Sequence, residues 1–323
     1  MRLEKNKIYS ETRLEVLRGL FAKIEELQNN KLCVYTTGSY GRLEASENSD
    51  VDLFFIDSDN ENPTTGIDKT LINAEIIKIC RNMGFPEFSK DGMYLSIHNL
   101  HEIKSELGSQ LDDYKNFFTA RMLLLLESKS VYNNELHTLC LEKIIESYYI
   151  DFNDHAKSFE PIFLCNDIIR FWKTLCLNYE HRRKRKDLNE ADKKREKVVA
   201  HSKNLKLKFS RKLTCFSFIL KLVSSNSSIP QEKVMDIAKM TPTERLISLK
   251  GINGQTDAKI QKAINSYEWF ISKTQIPSDK MLEWLEDRNQ REEAFSKSSE
   301  FGQQLFDILE EIDEKNILPK LLI

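Results

Sequence analysis

Asp50 and Asp52 stand two residues apart in Ser49-Asp50-Val51-Asp52-Leu53-Phe54-Phe55-Ile56. The apolar, β-branched and aromatic run predicts a strand, and on a strand side chains two apart share a face. Two carboxylates brought to one spot repel each other and lose hydration unless a cation lies between them. Hard oxygen donors suit a divalent ion that also carries phosphates, Mg2+ or Mn2+. Ser39 lies eleven residues before Asp50, at the end of a second predicted strand, Leu32-Cys33-Val34-Tyr35-Thr36, which runs into Thr37-Gly38-Ser39-Tyr40-Gly41-Arg42. Gly38 would let backbone N–H groups approach a phosphate, and the Ser39 hydroxyl can donate to it. Phosphate and metal would then share one pocket.

The stretch from Thr37 to Ile56 resembles the signature of polymerase-β-like nucleotidyltransferases, a Gly-Ser turn followed by Asp-x-Asp with apolar flanks. Gly38-Ser39-Tyr40-Gly41-Arg42-Leu43-Glu44 and Ser49-Asp50-Val51-Asp52-Leu53 look most like the bacterial branch that contains the catalytic domain of nitrogen-sensor uridylyltransferases. The bacterial relatives of cyclic-dinucleotide synthases are also similar. A looser resemblance covers Phe117 to Ser128 and Asp167 to Thr174, which look like the helices that follow the catalytic domain in standalone bacterial members.

The resemblance implies transfer of a nucleoside monophosphate from an NTP or dNTP to an acceptor hydroxyl, with release of pyrophosphate. It implies metal ligation by Asp50, Asp52 and a third acidic residue, for which Asp91 in Lys90-Asp91-Gly92 is the candidate; an exposed turn aspartate is the competing reading of that residue. Relatives hold the triphosphate with a lysine on a later helix and a downstream Lys or Ser, which makes Lys173, Lys208 and Ser210 the matching positions. Arg42, inside the motif, and Arg170, three residues before Lys173 and on the same helical face, join the expected nucleotide-binding set. Tyr40, Tyr179 and Phe209 are aromatic residues close to these motifs that could stack a base. His98 reads as a core or rim histidine, and the reaction requires none.

The elements that must position these groups predict an α+β fold. A small mixed β-sheet nucleotidyltransferase domain with flanking helices is expected over residues 1–112, and an all-helical domain over 113–323 that completes the nucleotide cleft. Thr12-Arg13-Leu14-Glu15 has capping-box form ahead of Leu17, Leu20, Phe21, Ile24 and Leu27 at helical spacing. A loop at 60–65, a crossover helix from Thr70 to Met83 and a third strand from Phe88 to Leu100 are expected next. Arg121 to Glu127 is apolar almost all round, as a central helix would be. Thr241-Pro242-Thr243-Glu244 reads as a helix start, and two acidic helices are expected near 279–293 and 299–314.

With 323 residues and 40% apolar content, the chain can build two packed cores. Its net charge of −2 conceals an asymmetry, because residues 181–213 carry fourteen Lys/Arg against four Asp/Glu. Arg182-Arg183-Lys184-Arg185-Lys186 reads either as a solvated connector or as a phosphate-polymer contact; Asn204 to Leu213 interleaves basic and apolar residues on a helix. The six cysteines show no C-x-x-C spacing and read as buried thiols of a reducing compartment. No leader-like segment or membrane-length apolar run stands out, so a soluble, cytoplasmic protein without membrane insertion is expected. The expected partners are a nucleoside triphosphate, an oligonucleotide or nucleic acid as product or acceptor, and a protein encoded in the same operon. Three outcomes stay open: an oligonucleotide synthase of anti-phage defence, a modifier of a protein or RNA end, and an inactive nucleotide-binding module.

Overall fold

The computed structural model describes residues 2–28, 31–88, 95–183, 190–225, 227–314 and 317. Its chain divides into two compact units: residues 1–159 with 230–241, and residues 160–229 with 242–323. The class is mixed α+β, with one small sheet in the first unit and helices throughout the second.

The sheet has four strands, β1 (Leu32–Thr37), β2 (Asp52–Asp57), β3 (Ile97–Asn99) and β4 (Lys129–Tyr132), in the order β3-β2-β1-β4. β1 runs antiparallel to both β2 and β4, while β2 and β3 are parallel. The β1–β2 register places Val34 opposite Phe55, Thr36 opposite Leu53 and Thr37 opposite Asp52. Strand alternation sends Leu32, Val34, Leu53 and Phe55 to one face. There they meet α1 (Arg2–Phe21), through Leu14, Leu17 and Phe21, and α3 (Gly66–Asn82), through Ile72 and Ile76. A one-turn helix, α2 (Gly38–Gly41), lies between them in sequence.

The other face carries Cys33 and Tyr35. After α4 (Leu100–Ser105) and α5 (Gln110–Tyr114), it is covered by α6 (Phe117–Glu127) and α7 (Asn134–Glu146). The Cys33 and Cys140 sulfurs lie 3.9 Å apart, and the Tyr35 ring lies 5.7 Å from His137. Every residue of α6 except Thr119 is buried, as its all-round apolarity requires. Because β4, α6 and α7 belong to the sheet unit, that unit extends past the expected boundary at residue 112.

The second unit contains α8 (Ile162–Arg183), α9 (Glu190–Lys206), a π-helical turn (Leu207–Arg211) and α10 (Lys212–Val223). The chain then returns to the sheet unit for α11 (Gln231–Lys239), which packs on α6 and α7. The second unit resumes with α12 (Pro242–Ile247), α13 (Gly254–Thr274), α14 (Ser278–Glu286) and α15 (Arg288–Ile312). Its core is an aromatic stack: the Phe209 ring lies 4.6 Å from Phe270 and 4.9 Å from Phe301.

Several local expectations change. Thr12 is no cap, because α1 is already helical from Arg2 and the Thr12 hydroxyl donates to the Ile8 carbonyl at 2.8 Å. α3 begins four residues earlier than expected, where Thr65 and Asp68 form a reciprocal capping box. The last two helices divide at Asp287, whose carboxylate accepts the Gln290 N–H at 2.8 Å, so residues 288–312 form one helix. Of the third strand expected from Phe88 to Leu100, the described part is β3; residues 89–94 lie outside the described residues. So do 184–189 of the basic run. Among the described residues, no helix is long and apolar enough to cross a membrane, and all six cysteines are free.

Candidate active site

β1 delivers the chain to the turn at Thr37, and Gly38 takes the left-handed conformation, φ 66°. That region costs a side chain about 1–2 kcal/mol, so glycine is the residue for it. Space adds a second constraint. A Cβ built on Gly38 would lie 2.5 Å from Asp52 Oδ2, so the carboxylate rests directly against the turn. The antiparallel pairing of Thr37 with Asp52 is what brings them together.

Asp52 is half-buried, Val51 before it is buried and Asp50 is exposed. This alternation continues the strand pattern and turns both aspartates away from the core. Ser39 is half-buried within α2. Gly38, Ser39, Asp50 and Asp52 are thus gathered at the end of β1 and the start of β2. Two carboxylates and a hydroxyl beside a tight turn are a hard-oxygen donor set that fits Mg2+ or Mn2+ with a phosphate ligand. Asp91, the expected third carboxylate, lies outside the described residues. Among the described residues, no group of three or more His, Cys, Asp or Glu is arranged to hold a metal ion.

Beneath the turn lies a charge network that sequence reading missed. The Gly38 N–H, expected to face a phosphate, donates to Glu127 Oε1 at 3.3 Å. Arg42, expected at the nucleotide, is buried and donates through Nη1 to Glu127 Oε2 and through Nε to Glu44 Oε2, both at 2.8 Å. Arg42 therefore braces the turn from inside the protein. The signal available in the sequence was Glu127 itself, a single acid closing the apolar run Met122 to Leu126.

The other expected residues belong to the second unit. Arg170 is half-buried on α8 with its Nη1 3.4 Å from Asp167 Oδ1, and Lys173 is exposed one turn further on. Lys208 stands over the Phe295 ring, 5.3 Å from its centroid. Ser210 is a core hydroxyl, buried and accepting from Tyr267 Oη at 3.3 Å, because the π-helical turn rotates it inward. Lys212 nearby is held below the usual lysine range, first by burial and then by Lys208.

Two of the three aromatic candidates are unavailable to a base. Tyr40 is buried edge-on against Phe85 at 5.5 Å, and Phe209 is inside the aromatic stack. Tyr179 is half-buried under the Arg183 guanidinium, 5.7 Å from the ring. His98 packs edge-on against Phe117, and burial lowers its pKa. No protein-family model matches this chain, and no curated protein matches it in sequence.

Proposed function

We propose that the protein is a divalent-metal-dependent nucleotidyltransferase. The single observation that carries this reading is the contact of the Asp52 carboxylate with the left-handed Gly38 turn, which brings a metal-binding group against the turn that carries Ser39.

In the proposed reaction an acceptor hydroxyl attacks the α-phosphorus of a nucleoside triphosphate. The new O–P bond forms as the bond to the bridging oxygen breaks; pyrophosphate takes that electron pair, and the hydroxyl proton is released. Asp50 and Asp52 would hold Mg2+ or Mn2+, which when bound supplies positive charge to the phosphates. Ser39 donates its hydroxyl to a phosphate oxygen, and the Gly38 turn excludes side-chain bulk from the same space. Asp52 lies half-buried against the turn, and Asp50 is exposed to an incoming ligand. Asp91 remains the proposed third carboxylate, on sequence grounds. The residues proposed to carry this chemistry all belong to the sheet unit.

The product class proposed from the family resemblance is a short oligonucleotide made in anti-phage defence. The alternative is a nucleotide attached to a protein or an RNA end. The test is incubation of the purified protein with each labelled NTP and dNTP in Mg2+ or Mn2+, followed by separation of free oligomers from label retained on macromolecules. Pyrophosphate release that disappears in Asp50→Asn/Asp52→Asn supports the reading. Absence of release with every triphosphate, or release unchanged in the double variant, defeats it.

A further inference from the structure

Glu127 ends α6 eighty-nine residues after Gly38, and its carboxylate has no exposed surface. A buried carboxylate needs full compensation by hydrogen bonds and opposite charge. Here the turn itself supplies part of the compensation. One oxygen accepts the Gly38 N–H, the other accepts from Arg42, and Arg42 reaches on to Glu44. The main chain of Glu127 makes a further approach: a Cβ on Gly41 would collide with the Glu127 carbonyl oxygen and come within 2.9 Å of the Thr36 carbonyl oxygen. The end of α6 therefore grips the turn at both of its glycines.

That end is itself fixed. The Ser128 hydroxyl lies 2.6 Å from the Leu124 carbonyl and 2.8 Å from His137 Nε2, which ties the last turn of α6 to α7. A chain of direct contacts then runs from His137 through Ser128 and Glu127 to Gly38 and on to Asp52.

We infer that Glu127, acting with Arg42, is a positioning residue of the site: it holds Gly38 in the left-handed conformation that seats the Asp52 carboxylate against the turn and sets Ser39 beside it. This rests on the metal-and-phosphate reading of the site given above. Glu127 does not touch the ligands itself, since its side chain is sealed beneath the turn. Its effect reaches the metal through the Gly38 backbone, as outer-shell groups act through the ligands they orient.

The experiment is binding of Mn2+ alone, read from the spin-resonance signal of the free ion. It compares the full-length protein with Asp52→Asn, Glu127→Ala and Glu127→Gln, each well below its own unfolding temperature. Asp52→Asn is the control for the site. Glu127→Ala, which removes the acceptor of the Gly38 N–H, is expected to weaken Mn2+ binding about tenfold or more. Glu127→Gln keeps an amide oxygen for that N–H and loses only the charge opposite Arg42, so its loss is expected to be smaller, roughly threefold. The order wild type, Gln, Ala supports positioning. Wild-type affinity in folded Glu127→Ala, with Asp52→Asn impaired, overturns the inference and leaves the site reading standing. If Glu127→Ala does not fold, wild-type affinity in Glu127→Gln overturns it. Equal binding by wild type and Asp52→Asn overturns the site reading and the inference with it.

Discussion

Gly38 and Asp52 are fitted to each other: the carboxylate occupies the space that a side chain on the turn would need, 2.5 Å from the position of an added Cβ. Gly38→Ala therefore carries two penalties, a left-handed backbone worth about 1–2 kcal/mol and displacement of the Asp52 carboxylate. Stability should fall modestly, while divalent-ion binding should fall at least about tenfold. Calorimetry of unfolding together with Mn2+ titration checks this. A variant that loses stability but binds Mn2+ as wild type does would show that the glycine serves the backbone and not the carboxylate.

Gly41 makes a different prediction, because the atoms crowding it are backbone. A Cβ there meets the carbonyl oxygens of Glu127 and Thr36, which belong to α6 and β1 and can yield only if those elements separate. Gly41→Ala should cost about 3 kcal/mol or more, in the upper range for steric strain in a packed interior. Urea unfolding should show a lowered midpoint with an unchanged slope. A midpoint equal to wild type would mean that α6 shifts without cost.

How much of this was legible in the sequence depended on separation along the chain. Ser39 and Asp52 could be associated because two adjacent antiparallel strands bring the end of one to the start of the next. Glu127 could not, since its role depends on where the far end of α6 comes to rest. Arg42 stands in the motif and so reads as a ligand contact in the sequence; the two carboxylates around it reveal a brace. Ser210 and Phe209 misled for a local reason. A π-helical turn adds a residue to the helical repeat, so the alternation of basic and apolar residues no longer reports which side faces out. The small sheet with later helices was readable from periodicity, whereas the caps at Thr65 and Asp287 reset helix boundaries that periodicity had blurred.

Arg121 and Asp112 form a fully buried ion pair with two bonds, 2.8 Å from Nη1 to Oδ1 and 2.7 Å from Nη2 to Oδ2. Tyr148 Oη accepts from Arg121 Nε at 2.9 Å, and the Ile103 carbonyl accepts from Nη1 at 3.3 Å. Burial opposes the charge, but the bonds to Asp112 outweigh it together with Tyr148 and hold the guanidinium above its ordinary pKa. Arg121→Met should destabilise by about 3–5 kcal/mol, because it takes the cation away from a buried carboxylate. Arg121→Met/Asp112→Leu should cost less than the single change. Additive losses in the double variant, read from urea unfolding, would deny the coupling.

His137 supplies a pH test of the same frame. Its ring is buried between Ser128 and Tyr35, and burial, with Lys129 adding to it, brings its pKa from 6.5 down to about 4. The unfolded chain binds this proton more readily than the folded one, so the stabilisation is complete above the unfolded value and is lost as pH falls toward 4. Between pH 7.5 and 4.5 the wild type should lose about 2–3 kcal/mol through this one group. His98, also depressed by burial, adds a loss of the same sign that is common to wild type and variant. His137→Gln should start less stable at pH 7.5, because its amide replaces the ring imperfectly, yet should decline less on acidification. The two stability curves should therefore converge toward pH 4.5. Parallel curves in urea unfolding across this range would show that His137 is not held neutral in the folded protein, and that the tie between α6 and α7 does not depend on an uncharged imidazole.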